Sequence, residues 1–216
     1  MRADLHVHTD RSGDGRQSLD DVIRRCKELG LGALSITDHN GMNCYPFQAE
    51  GMIILPGLEI TTADGHVLAY MINEPVPRGR GVDETIDLIH AQGGIAVAAH
   101  PYRWWSGLGE KNVRGRGFDA LEVLNSRSLG IGNRRAARLA RTMGVPGTGG
   151  SDAHVTEHIG RALTIFPDDC QNAEDLVRAI KSGAISAEGS SRGPFESLSY
   201  GTKSIFKWGR RGFRRL

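Results

Sequence analysis

The chain contains no run approaching the roughly 18 consecutive apolar residues that span a bilayer. Met1 and Arg2 lead directly into Ala3-Asp4-Leu5-His6, without the apolar centre of a secretion signal. A cytoplasmic protein is the expectation. The three cysteines, Cys26, Cys44 and Cys170, are odd in number and far apart, so neither a disulfide framework nor a zinc ribbon is indicated. That usage suits a reducing compartment. Acidic residues are missing from the last fourteen positions, which hold Lys203, Lys207, Arg210, Arg211, Arg214 and Arg215. Of 27 basic residues, 21 then remain against 25 acidic ones in the rest of the chain. A mildly acidic body with a basic tail results, and the tail is a candidate contact for nucleic acid or another anionic surface. The commoner role of such tails is to be solubilising or poorly ordered.

What the chain does have is the composition of an ordinary globular protein: 216 residues, 39% hydrophobic and 24% charged, with 29 glycines. The length fits one sizeable core. We divide it into a catalytic domain over residues 1–188 and a basic C-terminal extension over 189–216. Short apolar runs recur at 3–7, 33–37, 52–55, 67–72, 95–99, 120–124 and 162–166. Each reads as a strand buried on both faces. Patterns of helical period fill 18–29, 82–92, 133–143 and 172–182. Ser18 is placed to cap the first, and Gly30, Gly93, Gly144 and Gly183 to end the four in turn. Strand alternating with helix predicts an α/β fold on a parallel sheet. The stretch from His100 to Phe118 predicts a long loop over the site.

Six of the eight histidines fall at or beside strand termini: His6, His8, His39, His66, His100 and His154. Residues two apart in a strand face the same way, so His6 and His8 can aim both imidazoles at one point. Asp152 and His154 repeat that spacing. With Asp14, Asp38 and Glu59 the donors are nitrogen and oxygen, a set suited to Zn, Mn or Fe rather than Ca. Nine candidates (His6, His8, Asp14, His39, Glu59, His66, His100, Asp152, His154) exceed what one ion can use. Two or three cations are therefore expected, with Glu59 as the bridge. A lone histidine beside a strand is more often a packed or surface group, and His66 by itself could be either. His90, inside a helix, and His158, in a polar turn, have no ligand partner at readable spacing and are assigned to structure. Asp38 is a candidate for orienting a ligand from behind. Asp10, Asp20 and Asp21 suit a turn and a helix N-terminus.

Taken in order, Asp4-Leu5-His6-Val7-His8-Thr9, Gly13-Asp14-Gly15, Ile36-Thr37-Asp38-His39-Asn40, Pro56-Gly57-Leu58-Glu59, Gly65-His66-Val67, Ala99-His100-Pro101 and Gly150-Ser151-Asp152-Ala153-His154 resemble the polymerase and histidinol phosphatase (PHP) family. The resemblance spans residues 3 to about 187 and points to the small metal-dependent phosphoesterases. It implies a distorted (βα)7 TIM-like barrel with a trinuclear centre at the C-terminal ends of the strands. One metal would be held by His6, His8, Glu59 and Asp152, a second by Glu59, His66 and His100, a third by Asp14, His39 and His154. Aspartate at position 14 is similar to family members acting on nucleotides or RNA ends. Those relatives often carry an inserted subdomain after the residue matching His100, and only a short loop follows it here.

The expected activity is hydrolysis of a phosphate monoester or of a nucleotide or oligonucleotide phosphate, through a hydroxide bridging two cations. Asp152, His8 and His154 are the expected catalytic residues, His8 or His154 being able to protonate the leaving oxygen. Arg103 and Arg127 are candidates for gripping the substrate phosphate. An exonuclease acting on RNA or DNA ends is the alternative within enzymes, with Trp104-Trp105 available for base stacking. A non-catalytic regulatory module stabilised by metal is the alternative outside them. A carboxamide or lactone hydrolase on the same barrel fits the motif order less well.

Overall fold

The computed structural model describes residues 1–42, 48–49, 51–191 and 193. Cys44 and nearly all of the 189–216 extension, including every basic residue counted in the tail, lie outside them. Ten strands and four α-helices are present among the described residues: β1 Arg2–Val7, α1 Leu19–Glu28, β2 Ala33–Ile36, β3 Gln48–Ala49, β4 Met52–Thr61, β5 His66–Tyr70, α2 Val82–Ala91, β6 Ile95–Ala98, β7 Ala120–Asn125, α3 Gly130–Met143, β8 Gly147–Gly150, β9 Ala162–Ile165, α4 Ala173–Ser182 and β10 Ser186–Gly189.

Seven staves, β1, β2, β4, β5, β6, β7 and β8, follow one another around the sheet. The ring closes above, where the segment after β8 meets the end of β1. His8 N–H donates to the Ala153 carbonyl at 2.9 Å and Asp152 N–H to the His6 carbonyl at 2.7 Å. Below, β9 wedges antiparallel against the start of β1, and the Thr164 hydroxyl bonds both backbone groups of Gly149. The barrel is thus α/β and distorted as expected, but its sheet is mixed rather than parallel. β5 runs antiparallel to both neighbours. Only residues 62–65 join β4 to β5, too few for a crossover helix, so the pair forms a hairpin.

The four helices form where the sequence places them. Ser18 accepts from the Asp21 backbone N–H while the Asp21 carboxylate accepts from Ser18, a complete capping box. Gly144 and Gly183 end α3 and α4 in the left-handed conformation. Helix α3 starts at Gly130, one turn ahead of the predicted start. Helix α1 packs outside β1, β2 and β4 through Val22 and Cys26, and α2 and α3 pack outside β4 to β7. Leu5, Leu55, Leu68, Tyr70, Ile95 and Val97 share a cluster with Leu176, Ala179 and Ile180 of α4. Each buried leucine, isoleucine or valine of that cluster contributes roughly 1.5–3 kcal/mol by leaving water. Tyr70 is completely buried and donates its hydroxyl to the Leu5 carbonyl at 2.8 Å.

A candidate metal centre at the C-terminal rim

Immediately after Leu5 the β1 interior changes from apolar to polar, and the register against β2 slips between Asp4 and Val7. Leu5 belongs to the apolar cluster with Tyr70, whereas His6 faces Glu59. Val7 packs among the α1 residues, so His6 and His8 share one side, as their spacing requires. Glu59 lies between Leu58 and Ile60, which pack under α2, and strand alternation points its carboxylate the opposite way. His100 and Asp152 follow the ends of β6 and β8 with φ of +27° and +55°. A non-glycine residue in that region is strained, and such strain collects at functional positions.

All nine proposed ligands converge. Glu59 Oε2 lies 3.2 Å from His6 Nε2, 3.1 Å from His8 Nε2 and 3.4 Å from His39 Nδ1. Its Oε1 lies 2.8 Å from His66 Nδ1 and 2.9 Å from His100 Nε2. Five imidazoles therefore surround one carboxylate that is 1% exposed. Asp14 Oδ2 lies 2.8 Å from His154 Nε2 and 3.8 Å from His39 Nε2. Asp152 Oδ1 is 3.6 Å from His8 Nε2 and 3.9 Å from His6 Nε2. Within 4.8 Å, donor atoms group as His8, Asp14, His39 and His154, as His6, His100 and Asp152, as His6, His8 and Glu59, and as His39, Glu59 and His66.

The chemistry of this set suits divalent cations. His6 Nε2, His8 Nε2 and His39 Nδ1 are buried without a hydrogen-bond partner among the described residues, a costly state unless another group uses the lone pairs. Burial pushes His39 down to about 4 and His100 down to about 3, the latter helped by Arg103. Burial and the neighbouring His154 also lower His8. These three imidazoles are neutral near pH 7, the form that ligates metal. Burial alone would lower His6 too, but Glu122, Asp152 and Glu59 raise it well above its ordinary value. Burial opposes ionisation of Glu59 and Asp152. The surrounding histidines of the first, and Arg103, Arg127, His6 and His154 around the second, nonetheless hold both well below the usual carboxylate range.

Arg103 and Arg127 both reach Asp152. Arg103 Nη2 donates to its Oδ2 at 2.5 Å and to Asn125 Oδ1 at 2.6 Å, while Arg127 Nη1 donates to Asp152 Oδ1 at 2.9 Å. Arg127 also lies 2.7 Å from His154 Nδ1. The two guanidinium groups thus border the centre, on the loops after β6 and β7. Asp38 accepts from the backbone N–H and hydroxyl of Thr9, both at 2.7 Å, and so fixes the turn after His8. His90 pairs with Asp119 at 2.8 Å on the barrel exterior.

Sequence reasoning missed Glu122 and Asn125. Glu122 Oε1 is 2.8 Å from His6 Nδ1, which turns Nε2 towards Glu59. Its Oε2 accepts from His100 N–H at 2.8 Å and from Asn125 Nδ2 at 3.0 Å. The signal was a lone carboxylate inside the apolar run 120–124. Asp4, completely buried, also escaped. It accepts from Ser151 and Gly160 backbone N–H groups, both at 2.9 Å, and burial raises its pKa to about 6 despite those bonds.

A ring of seven staves carrying six imidazoles and three carboxylates at one rim defines a barrel with a candidate metal centre. A family model described as PHP-associated matches residues 130–185. An uncharacterized protein of Methanocaldococcus jannaschii is 34% identical over 142 residues, covering 58% of this chain and 82% of that one. Among solved structures, the lesion-specific endonuclease Q of Pyrococcus furiosus superimposes with a TM-score of 0.69 at 17% identity, over 87% of this chain and 58% of that one. A two-domain protein of Bacteroides vulgatus containing a predicted PHP-like metal-dependent phosphoesterase gives 0.64 at 18%, over 88% and 65%. At those identities the structural likeness concerns the fold. The chain belongs to the PHP family.

Proposed function

We propose that this protein is a metal-dependent phosphoesterase that hydrolyses a phosphate monoester or a nucleotide or oligonucleotide phosphate. The observation that carries the reading is Glu59, a buried carboxylate faced by five imidazole nitrogens at 2.8–3.4 Å. His6, His8, Glu59 and Asp152 would hold one cation, Glu59, His66 and His100 a second, and Asp14, His39 and His154 a third, with Mn, Zn or Fe as the candidates. Divalent cations in such a donor set acidify water near neutral pH and neutralise phosphoryl oxygens.

The protein's own groups supply the rest. Arg103 and Arg127 would take a phosphate's peripheral oxygens through paired N–H donors, with Asp152 and Asn125 bonded to their guanidinium groups. His8, kept neutral by burial, suits ligation. His154, 12% exposed at the rim, would serve either as a ligand of the third cation or as the donor of a proton to the leaving oxygen, and not as both. Residues 1–188 would form the catalytic domain and 189–216 the basic extension, although β10 pairs with β9 as far as Gly189. Among the described residues no helix is long and apolar enough to cross a membrane. A cytoplasmic site of action fits this and the unpaired Cys26 and Cys170.

Elemental analysis of the purified protein, followed by phosphate release from a panel of esters with each metal restored, tests the reading. Metal bound in stoichiometric amount and turnover lost in His6→Ala are expected. Metal-loaded protein that cleaves no member of the panel would overturn it in favour of a regulatory module.

A further inference from the structure

All four exposed large hydrophobic residues among those described lie on the two loops that deliver Arg103 and Arg127 or in the first turn of α3, which follows the second loop. Trp104 is 91% exposed and Trp105 58% on the loop after β6, and Leu129 and Ile131 are exposed after β7. The indoles of Trp104 and Trp105 stack at 6.2 Å between centroids. Their loop is built rather than loose. Arg103 N–H donates to the His100 carbonyl and Gly107 N–H to the Arg103 carbonyl, each at 2.9 Å, and Ser106 accepts from His66 N–H. A Cβ on Gly107 would meet the Pro101 and Arg103 carbonyl oxygens at 2.6 Å, so the turn needs glycine.

Helix α3 continues from this rim. Its Asn133 exchanges hydrogen bonds with the backbone of Asn125, whose side chain touches Asp152. Its Arg135 guanidinium lies 4.2 Å over the ring of Tyr102, next to Arg103 in sequence. The helix contains four arginines and no acidic residue. Arg134, Arg138 and Arg141 are exposed, and spacings of four and three put them on one face, spread over roughly 10 Å of helix axis. None of the three has a carboxylate partner among the described residues. Like charges at these spacings repel, a cost that the favourable position of Arg141 in the last turn offsets only in part.

We propose that α3 and the Trp104–Trp105 pair form a binding track for single-stranded nucleic acid, with the backbone phosphates on Arg134, Arg138 and Arg141 and a base on the indoles beside the metal centre. The inference names the substrate class of the phosphoesterase reading and rests on it for the cleavage step only. Arginines in line meet a polyanion's phosphates, and an aromatic face accepts any base. Between them they lead a strand to Asp152.

The test measures anisotropy of a fluorescein-labelled phosphorothioate oligo-thymidylate of about twelve residues, within the span such grooves bind, on the full chain over a salt series. Three proteins are compared: wild type, Arg134→Gln/Arg138→Gln/Arg141→Gln, and a control with equal charge removed from α1, Arg24→Gln/Arg25→Gln/Lys27→Gln. The track variant should flatten the plot of log affinity against log salt by about 2, at roughly 0.7 per phosphate contact. The control should leave it within error of wild type. Trp104→Ala/Trp105→Ala should weaken binding about tenfold to a hundredfold, the equivalent of one stacked base. All substituted residues are at the surface, and circular dichroism checks the fold.

Equal losses in track and control variants would reduce the effect to net charge and overturn the proposal. So would preferential binding to phosphatidylserine vesicles that the oligonucleotide does not displace. Because the probe need not be cleaved, binding through the track without turnover on any ester would sink the phosphoesterase reading and leave this one standing. Turnover of small esters with no strand binding would do the reverse.

Discussion

Glu59 and Asp152 sit on opposite sides of one cluster, and their company differs. Around Glu59 the polar partners are imidazoles, every one able to ligate a cation. Asp152 has imidazoles and guanidinium groups together, Arg127 on the same Oδ1 that faces His8 and Arg103 on Oδ2, and guanidinium groups cannot ligate metal or lose their charge. Of the imidazoles around Glu59, His6 is raised above its ordinary value and His8, His39 and His100 are lowered, so the buried charge of Glu59 calls for added cations. A carboxylate supplied with two permanent cations also holds those cations in place for an incoming anion. The difference sets a metal side around Glu59 against a mixed side around Asp152, where ligands and the two guanidinium groups meet.

The largest test of that division is Glu59→Gln. Removing a bridging charge worth several kcal/mol should lower turnover by about 10³-fold or more, with metal content falling in parallel by elemental analysis. Retained metal would erase the distinction between the sides. Glu122→Gln should weaken Mn affinity and activity about 10- to 100-fold with the fold intact, since Glu122 orients His6 without ligating. A competition titration reads it, and an effect as large as that of Glu59 would move Glu122 into the ligand set. Arg127→Lys keeps the charge but loses the forked donor, and should raise KM about tenfold while metal content is unchanged. A drop in bound metal instead would break the assignment of Arg127 to substrate.

The smallest effect is pH-dependent and belongs to the metal-depleted protein. His39 and His100 have folded values of about 4 and about 3, below the 6.5 of the unfolded chain. The unfolded state therefore binds more protons as pH falls through 6.5, and stability declines in that direction. Between pH 7 and 6 each histidine should cost under about 1 kcal/mol, the loss continuing until the folded groups titrate. Denaturant melts at the two pH values measure it. Because His6 and Asp4 are raised in the folded protein and gain stability over the same interval, the comparison is with His39→Asn, whose loss of stability from pH 7 to 6 should be smaller than that of wild type. An equal or larger loss would contradict the burial of a neutral His39.

The metal side was legible because its ligands sit in motifs whose spacing carries geometry, His6 with His8 and Asp152 with His154. The four helices were legible from period and caps, and Ser18 caps α1 through the bonds its position implies. Glu122 was not, because an isolated carboxylate in an apolar run has no spacing partner. Strand β8, Gly-Thr-Gly-Gly, was hidden by its low β-propensity. The structure supplies the reason: a Cβ on Gly150 would stand 2.5 Å from that of His6 and 2.9 Å from Glu122 Oε1. The reversed direction of β5 was equally hidden, since a buried apolar run reads the same either way along a barrel wall. Arg103 and Arg127 were singled out by place alone, and their shared hold on Asp152 needed the loops to be folded.

The ring joins where His8 and Asp152 bond across to the opposite segment, and the Gln17 amide clamps the seam through the carbonyls of His8 and Ala153. Cation donors occur on both lips of that seam. Anything that opens it must pull the donor set apart, so ion occupancy and barrel integrity are thermodynamically one equilibrium, and saturating metal at a hundred times its dissociation constant would add about 2.7 kcal/mol to unfolding. Depleting the ion should therefore loosen the wall at this suture before the hairpin of β4 and β5 on the far side, a sequence that amide exchange can follow.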